Sequence, residues 1–124
     1  MSAGTASRRF AMSQDVIDRW ARLSADHNPL HVDVEYAAGT PFGGTIAHGH
    51  YSLALIEDLL LAELGDRWLA GGLLRDLRFR APVRPGREYE IRLIAQDAEL
   101  RVEVRDVADE TLAVEGLAVP GGAR

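Results

Sequence analysis

The chain has 124 residues, 47% of them hydrophobic and 27% charged, which fits one globular domain with a real core and leaves little room for a second. Its net charge of −5 argues against a broad nucleic-acid surface. There is no cysteine, and every basic residue is Arg, so disulfides, thiolate metal sites, cysteine nucleophiles and a lysine Schiff base are all excluded.

Residues 1–7 are small and polar and are expected to fray. The opening stretch MSAGTASRRF has no apolar run of the kind a secretory leader needs, so the cytoplasm is the default compartment. Arg8 to Met12 reads as a short strand. Ser13 is placed to cap a helix, with Asp15 in its first turn and Met12 and Ile17 spaced as a hydrophobic staple. Val16, Ile17, Trp20, Ala21 and Leu23 share one face of that helix, which should end near Ala25 because Pro29 biases Asn28 away from helix. A second short helix is expected from Asp33 to Ala38, closed by Gly39. Thr40 to Thr45 is a loop.

From about His48 to Leu64 the pattern is one long helix, rich in Leu and Ala, stopping at Gly65. It is apolar around most of its circumference and is expected to be largely buried. Glu57, Asp58 and Glu63 interrupt it, so it does not read as a membrane span. The period then changes. Leu73–Arg80, Arg87–Gln96, Glu99–Asp106 and Thr111–Val119 read as strands, and the middle two alternate apolar with charged residues. Such alternation marks a sheet with one buried and one wet face. The expected architecture is α+β, an antiparallel sheet wrapped around the long helix. A single small sheet leaves free edges, so a homodimer is expected.

Two segments carry chemistry. In Leu23-Ser24-Ala25-Asp26-His27-Asn28-Pro29-Leu30-His31, residues five apart on a continuous helix would diverge by about 140°. Asn28-Pro29 breaks the helix, and a turn there can aim Asp26 and His31 into one space, where Leu30 could anchor the loop in the core. A carboxylate and an imidazole converging on an apolar pocket can hold a water and move its proton. The competing reading is a capped helix end with a solvated loop. In Gly43-Gly44-Thr45-Ile46-Ala47-His48-Gly49-His50, Gly49 opens the long helix and leaves its N–H uncovered at the positive end of the helix dipole, suited to a developing oxyanion. Tight packing alone is the other explanation for that Gly.

Taken together, these segments resemble the MaoC-like, (R)-specific enoyl-CoA hydratase family. The resemblance runs from Asp26-His27-Asn28-Pro29-Leu30-His31, through Asp33 and Ala38, to Ile46-Ala47-His48-Gly49 and to Leu77-Arg78-Phe79-Arg80-Ala81-Pro82-Val83-Arg84-Pro85-Gly86. It implies the hotdog fold and a hydro-lyase acting at C2–C3 of a 2-enoyl or (R)-3-hydroxyacyl thioester, carried by coenzyme A or acyl carrier protein, with no cofactor. It also implies Asp26 and His31 as the acid–base pair, with Asp26 favoured as base and the reverse left open. Gly49 would supply the oxyanion hole and Asn28 would shape the loop. Departures stand at Ala25, where the family has Gly, and at His50, where an apolar residue is usual. Glu57 and Asp58 are unusual in a central helix. His50 and Glu57 lie about 20° apart over two turns, so both are candidates for lining an acyl pocket that prefers polar or short groups.

Two other readings compete. One is a metal site built from His27, His31, His48 and His50, which Pro29 and the helical pattern after His48 oppose. The other is a repurposed hotdog protein: a cyclase-like enzyme, a thioesterase, or one subunit of a heterodimeric acyl-carrier-protein dehydratase. No membrane or nucleic-acid partner is expected.

Overall fold

The computed structural model describes residues 5–122 of the chain. It contains β1 (Thr5–Ala11), α1 (Gln14–Ser24), α2 (Pro29–Val32), α3 (Val34–Ala38), α4 (Gly49–Leu64), α5 (Asp66–Leu69), β2 (Leu73–Phe79), β3 (Glu88–Gln96), β4 (Glu99–Asp106) and β5 (Leu112–Val119). Residues 1–4, part of the segment expected to fray, lie outside the described residues. Thr5, Ala6 and Ser7 do not fray: they pair with Ile94, Leu93 and Arg92 of β3.

The five strands form one antiparallel sheet in the order β1-β3-β4-β5-β2. Its inner face carries the alternating apolar residues read from the sequence. Ile91, Leu93, Val102, Val104 and Val114 are at most 1% exposed and share one cluster with Ile56, Leu59 and Leu60 of α4. The outer face carries the alternate charges as ion pairs, such as Arg92–Glu90 and Arg101–Glu103–Arg105. This is the expected hotdog, α+β arrangement. At the β2 edge the ladder with β5 slips between Arg75 and Arg78, where Asp76 has a φ of 55°; Leu73 and Phe79 are more than half exposed there.

Several local expectations are corrected by packing. The α4 helix is not buried all round. Ser52, Ile56, Leu59 and Leu60 face the sheet, while Glu57, Asp58 and Leu61 stay exposed, because one sheet covers only one side of a helix. Leu23, expected on the buried face of α1, is 78% exposed; the burial falls on Ile17 and Ala21. Leu30 is half-buried, so it is a weaker anchor than expected. Among the described residues, no helix is long and apolar enough to cross a membrane.

Candidate active site

The site begins at the end of α1. Ser13 caps the helix by accepting from the Val16 N–H, and buried Met12 and Ile17 form the staple beneath it. At the other end the chain leaves the helix through Ala25 in the left-handed region, with φ 62° and ψ 20°. That conformation favours Gly, which accounts for the glycine usual at this position in the resembling family. The reversal brings Asp26 back over the start of α4.

Asn28 then does what a residue before Pro does: it sits in extended backbone (φ −54°, ψ 126°), and Pro29 opens α2 at its first position. The Asn28 side chain accepts from the Leu30 N–H at 3.0 Å, and the Asn28 N–H donates to Asp26 Oδ1 at 3.3 Å. These two bonds shape the loop. His31 lies on α2, a helical turn that the periodicity did not reveal because it is only four residues long.

The orientation of each imidazole follows from its neighbours. His31 Nδ1 lies 2.8 Å from the Ile46 carbonyl, which can only accept, so Nδ1 carries the hydrogen and Nε2 is left with a lone pair. His48 is fully buried, and its Nε2 donates to the main-chain oxygen of Asp26 at 2.9 Å. Its ring stacks on that of His31 with centroids 3.9 Å apart. Nδ1 of His48 is buried without a partner among the described residues. Burial pushes the His48 imidazole below the ordinary histidine range, with the neighbouring His31 adding to the effect and the Asp26 main-chain bond opposing it. The Asp26 carboxyl is also held below its ordinary value, first by the hydrogen bond from His50 and then by that from the Asn28 N–H.

Acid–base atoms of Asp26, His31 and His48 all lie within 4.8 Å of one another, so the expected convergence of Asp26 and His31 is present in the geometry. A single water can span that distance. The same three groups are the one set among the described residues spaced to hold a metal ion. Against that use, the Asp26 carboxylate is already occupied by two donors and His48 Nε2 is committed to a carbonyl. The four-histidine set is not assembled, since His27 lies apart beside Asp18 and Arg22.

A cleft of about 310 Å³, mostly apolar, opens beside His31 and is lined by Gly49, Phe42, Ser52, Phe79 and Val83 among others. That is the lower end of the range for small-molecule sites. Gly49 is the first residue of α4, so its N–H has no acceptor within the helix, and none is found among the described residues. A Cβ at this position would stand 3.1 Å from Phe79 Cζ, so any larger residue here would press that ring. Asp26 does not itself line the cleft.

His50 and Glu57, expected together on one pocket wall, are separated. His50 turns to Trp20 and Asp26, away from the cleft, while Glu57 accepts from the Trp68 indole at 2.5 Å. Asp58 pairs with Arg8. The helical spacing of these residues was read correctly; what it did not contain is that the sheet covers the opposite side. Two positioning residues were missed. Gln14 donates to the His31 carbonyl at 2.7 Å and accepts from Thr45 at 2.6 Å, tying α2 to the loop before α4. Trp20, which the periodicity places on an apolar face, also carries an indole N–H that usually finds an acceptor when covered, and here it finds His50.

Comparison with known proteins places these residues in a family. A family model described as "MaoC like domain" matches residues 4–116. The chain is 42% identical over 96 residues to the 3-hydroxybutyryl-CoA dehydratase of Methylorubrum extorquens, covering 75% of this chain and 57% of that protein. It is 35% identical over 118 residues to 3-hydroxyacyl-thioester dehydratase Z of Mycobacterium tuberculosis, covering 88% and 76%. Among solved structures, the (R)-hydratase from A. caviae involved in PHA biosynthesis superposes with a TM-score of 0.77 at 28% identity, covering 97% of this chain and 98% of that one.

Proposed function

Because the chain belongs to the MaoC like domain family, we propose that it is a hydro-lyase, adding water to the C2–C3 double bond of a 2-enoyl thioester or removing it from an (R)-3-hydroxyacyl thioester. The observation that carries this reading is His31, which lines a mostly apolar cleft together with Gly49 and has one ring nitrogen within 4.8 Å of an Asp26 carboxylate oxygen. Two of the relatives above are named as dehydratases of a 3-hydroxybutyryl-CoA and of 3-hydroxyacyl thioesters, and the solved neighbour as an (R)-hydratase.

In the hydration direction a water lies between Asp26 and His31. Its oxygen attacks C3 while one of its protons passes to His31 Nε2. The electrons of the double bond move to the thioester carbonyl, and the enolate oxygen is held by the Gly49 N–H. Such a donor commonly contributes roughly 3–4 kcal/mol to lowering the barrier. The proton on His31 then passes to C2, and the second water hydrogen stays on the new hydroxyl. Asp26 accepts a hydrogen bond from the water and stabilises the transient imidazolium. Of the two assignments the sequence leaves open, His31 as base is favoured, because two donors weaken the Asp26 carboxylate as a base while His31 commits only Nδ1 to the Ile46 carbonyl. Dehydration runs the same steps backwards.

The substrate is an acyl thioester of coenzyme A or of acyl carrier protein, and the enzyme acts as a homodimer in the cytoplasm, where such thioesters are made and consumed. The free β2 edge and the exposed side of α4 support the dimer. The test is an assay of purified protein on enoyl thioesters of both carriers and several chain lengths, following loss of the conjugated double bond and release of free thiol separately. Hydration without thiol release is expected. Thiol release without hydration would make it a thioesterase and overturn the reading.

A further inference from the structure

The carboxylate of Asp26 is gripped by a side chain that the reaction above does not use. His50 Nε2 lies 3.0 Å from Asp26 Oδ2, and the other ring nitrogen, Nδ1, lies 2.7 Å from the Trp20 indole nitrogen. An indole N–H only donates, so Nδ1 must accept, and the imidazole hydrogen must sit on Nε2, pointing at Asp26. Trp20 is held in place in turn by stacking on Tyr51 at 4.6 Å. The chain Trp20→His50→Asp26 therefore has one direction, set by its first member. Oδ1 of Asp26 accepts from the Asn28 N–H, so each carboxylate oxygen has a fixed donor.

We propose that His50, with its tautomer set by Trp20, is a positioning residue for Asp26, fixing which way the carboxylate faces. The arrangement crosses three elements: Trp20 comes from α1, Asp26 from the loop after it, and His50 from the first turn of α4. The other ionisable groups facing the carboxylate are His31 from α2 and His48 from the residue before α4, and neither donates to its oxygens. His50 is thus the one side-chain donor to the Asp26 carboxylate among the described residues. The lowered proton affinity of Asp26 has that bond as its largest cause. Only the effect on turnover rests on the proposed hydro-lyase reaction; the effect on the carboxylate does not.

The experiment uses the full chain, labelled with 15N in histidine and with 13C in aspartate carboxyls, and the variants His50→Met, His50→Gln and Trp20→Phe. In the unaltered protein the His50 ring should show a single tautomer, with a pyridine-like Nδ1 and a protonated Nε2. Trp20→Phe should give a mixture of the two tautomers. The Asp26 carboxyl should titrate at higher pH in His50→Met and near its original position in His50→Gln, whose amide nitrogen replaces Nε2. kcat should fall in His50→Met by up to about a hundredfold through misplacement of the carboxylate and be restored by Gln. An Asp26 titration unmoved in His50→Met, or mixed tautomers in the unaltered protein, overturns the proposal. A moved titration with an unchanged kcat supports the positioning of the carboxylate and counts instead against Asp26 as a group in the reaction.

Discussion

His31 and His48 stack face to face with ring centroids 3.9 Å apart, and each ring is tied by one nitrogen to the main chain of the other's segment. His31 is bonded to the Ile46 carbonyl just before α4, and His48 to the Asp26 carbonyl just after α1. The two halves of the candidate site are therefore stitched together by reciprocal bonds, and neither imidazole can turn without breaking one of them.

Asp26→Asn and His31→Ala should each lower turnover on an enoyl thioester by several orders of magnitude with the fold intact. Both groups act on one water, so the double variant should be little worse than the poorer single one. Steady-state kinetics, with circular dichroism as the folding control, measures this. Near-normal turnover in both single variants would remove the mechanism.

Stability should fall as the solution is acidified, through His48. Burial lowers its folded-state proton affinity, so the unfolded chain binds the extra proton first. The His48 contribution is thus complete above the ordinary histidine value of about 6.5 and is lost as pH falls through the lower folded value. Urea midpoints measured across that window should drop for the unaltered protein. His48→Gln keeps a donor to the Asp26 carbonyl without a titrating ring and should flatten the dependence. An equally steep fall in the variant would assign it to other groups.

Ala25→Gly should stabilise the protein by about 0.5–1 kcal/mol, since relief at a left-handed position exceeds the added freedom of the unfolded chain. Activity should be kept, because the turn that aims Asp26 is already adopted. Urea unfolding reads the gain, and a loss of stability would contradict it.

Gly49→Ala keeps the backbone N–H but places a Cβ against Phe79, 3.1 Å from Cζ. Phe79 is 53% exposed and can swing aside, so stability should change by less than about 0.5 kcal/mol. The displaced ring narrows the cleft, so KM should rise more than kcat falls. A pure loss of kcat with unchanged KM would instead mean that the N–H itself had moved.

Light scattering at micromolar concentration should give the mass of a homodimer. A fully active monomer would refute the dimeric assignment. Glu57→Ala, on the exposed side of α4, should leave the order of preference among acyl chain lengths unchanged, which ratios of kcat/KM between substrates will show.

What the sequence determined by itself lies at short range. Alternation of apolar and charged residues placed β3 and β4 to within a residue, because a half-buried strand imposes a period of two on its own side chains. Ser13, Gly65 and Asn28-Pro29 marked helix ends because capping and the steric demands of proline act over a few residues. The helix break between Asp26 and His31 was legible for the same reason, while their meeting was one of two outcomes that the spacing allowed. What only the tertiary structure decided lies between residues far apart in the chain. His50 and Glu57 share a helix face yet go to different partners, Trp20 at 30 positions' separation and Trp68 at 11. The donor to Asp26 comes from 24 residues away. Helical spacing states which side chains share a face. Which face the sheet covers, and which distant donor finds an acceptor there, is settled by packing, because a hydrogen bond depends on distance in space and carries no period in sequence.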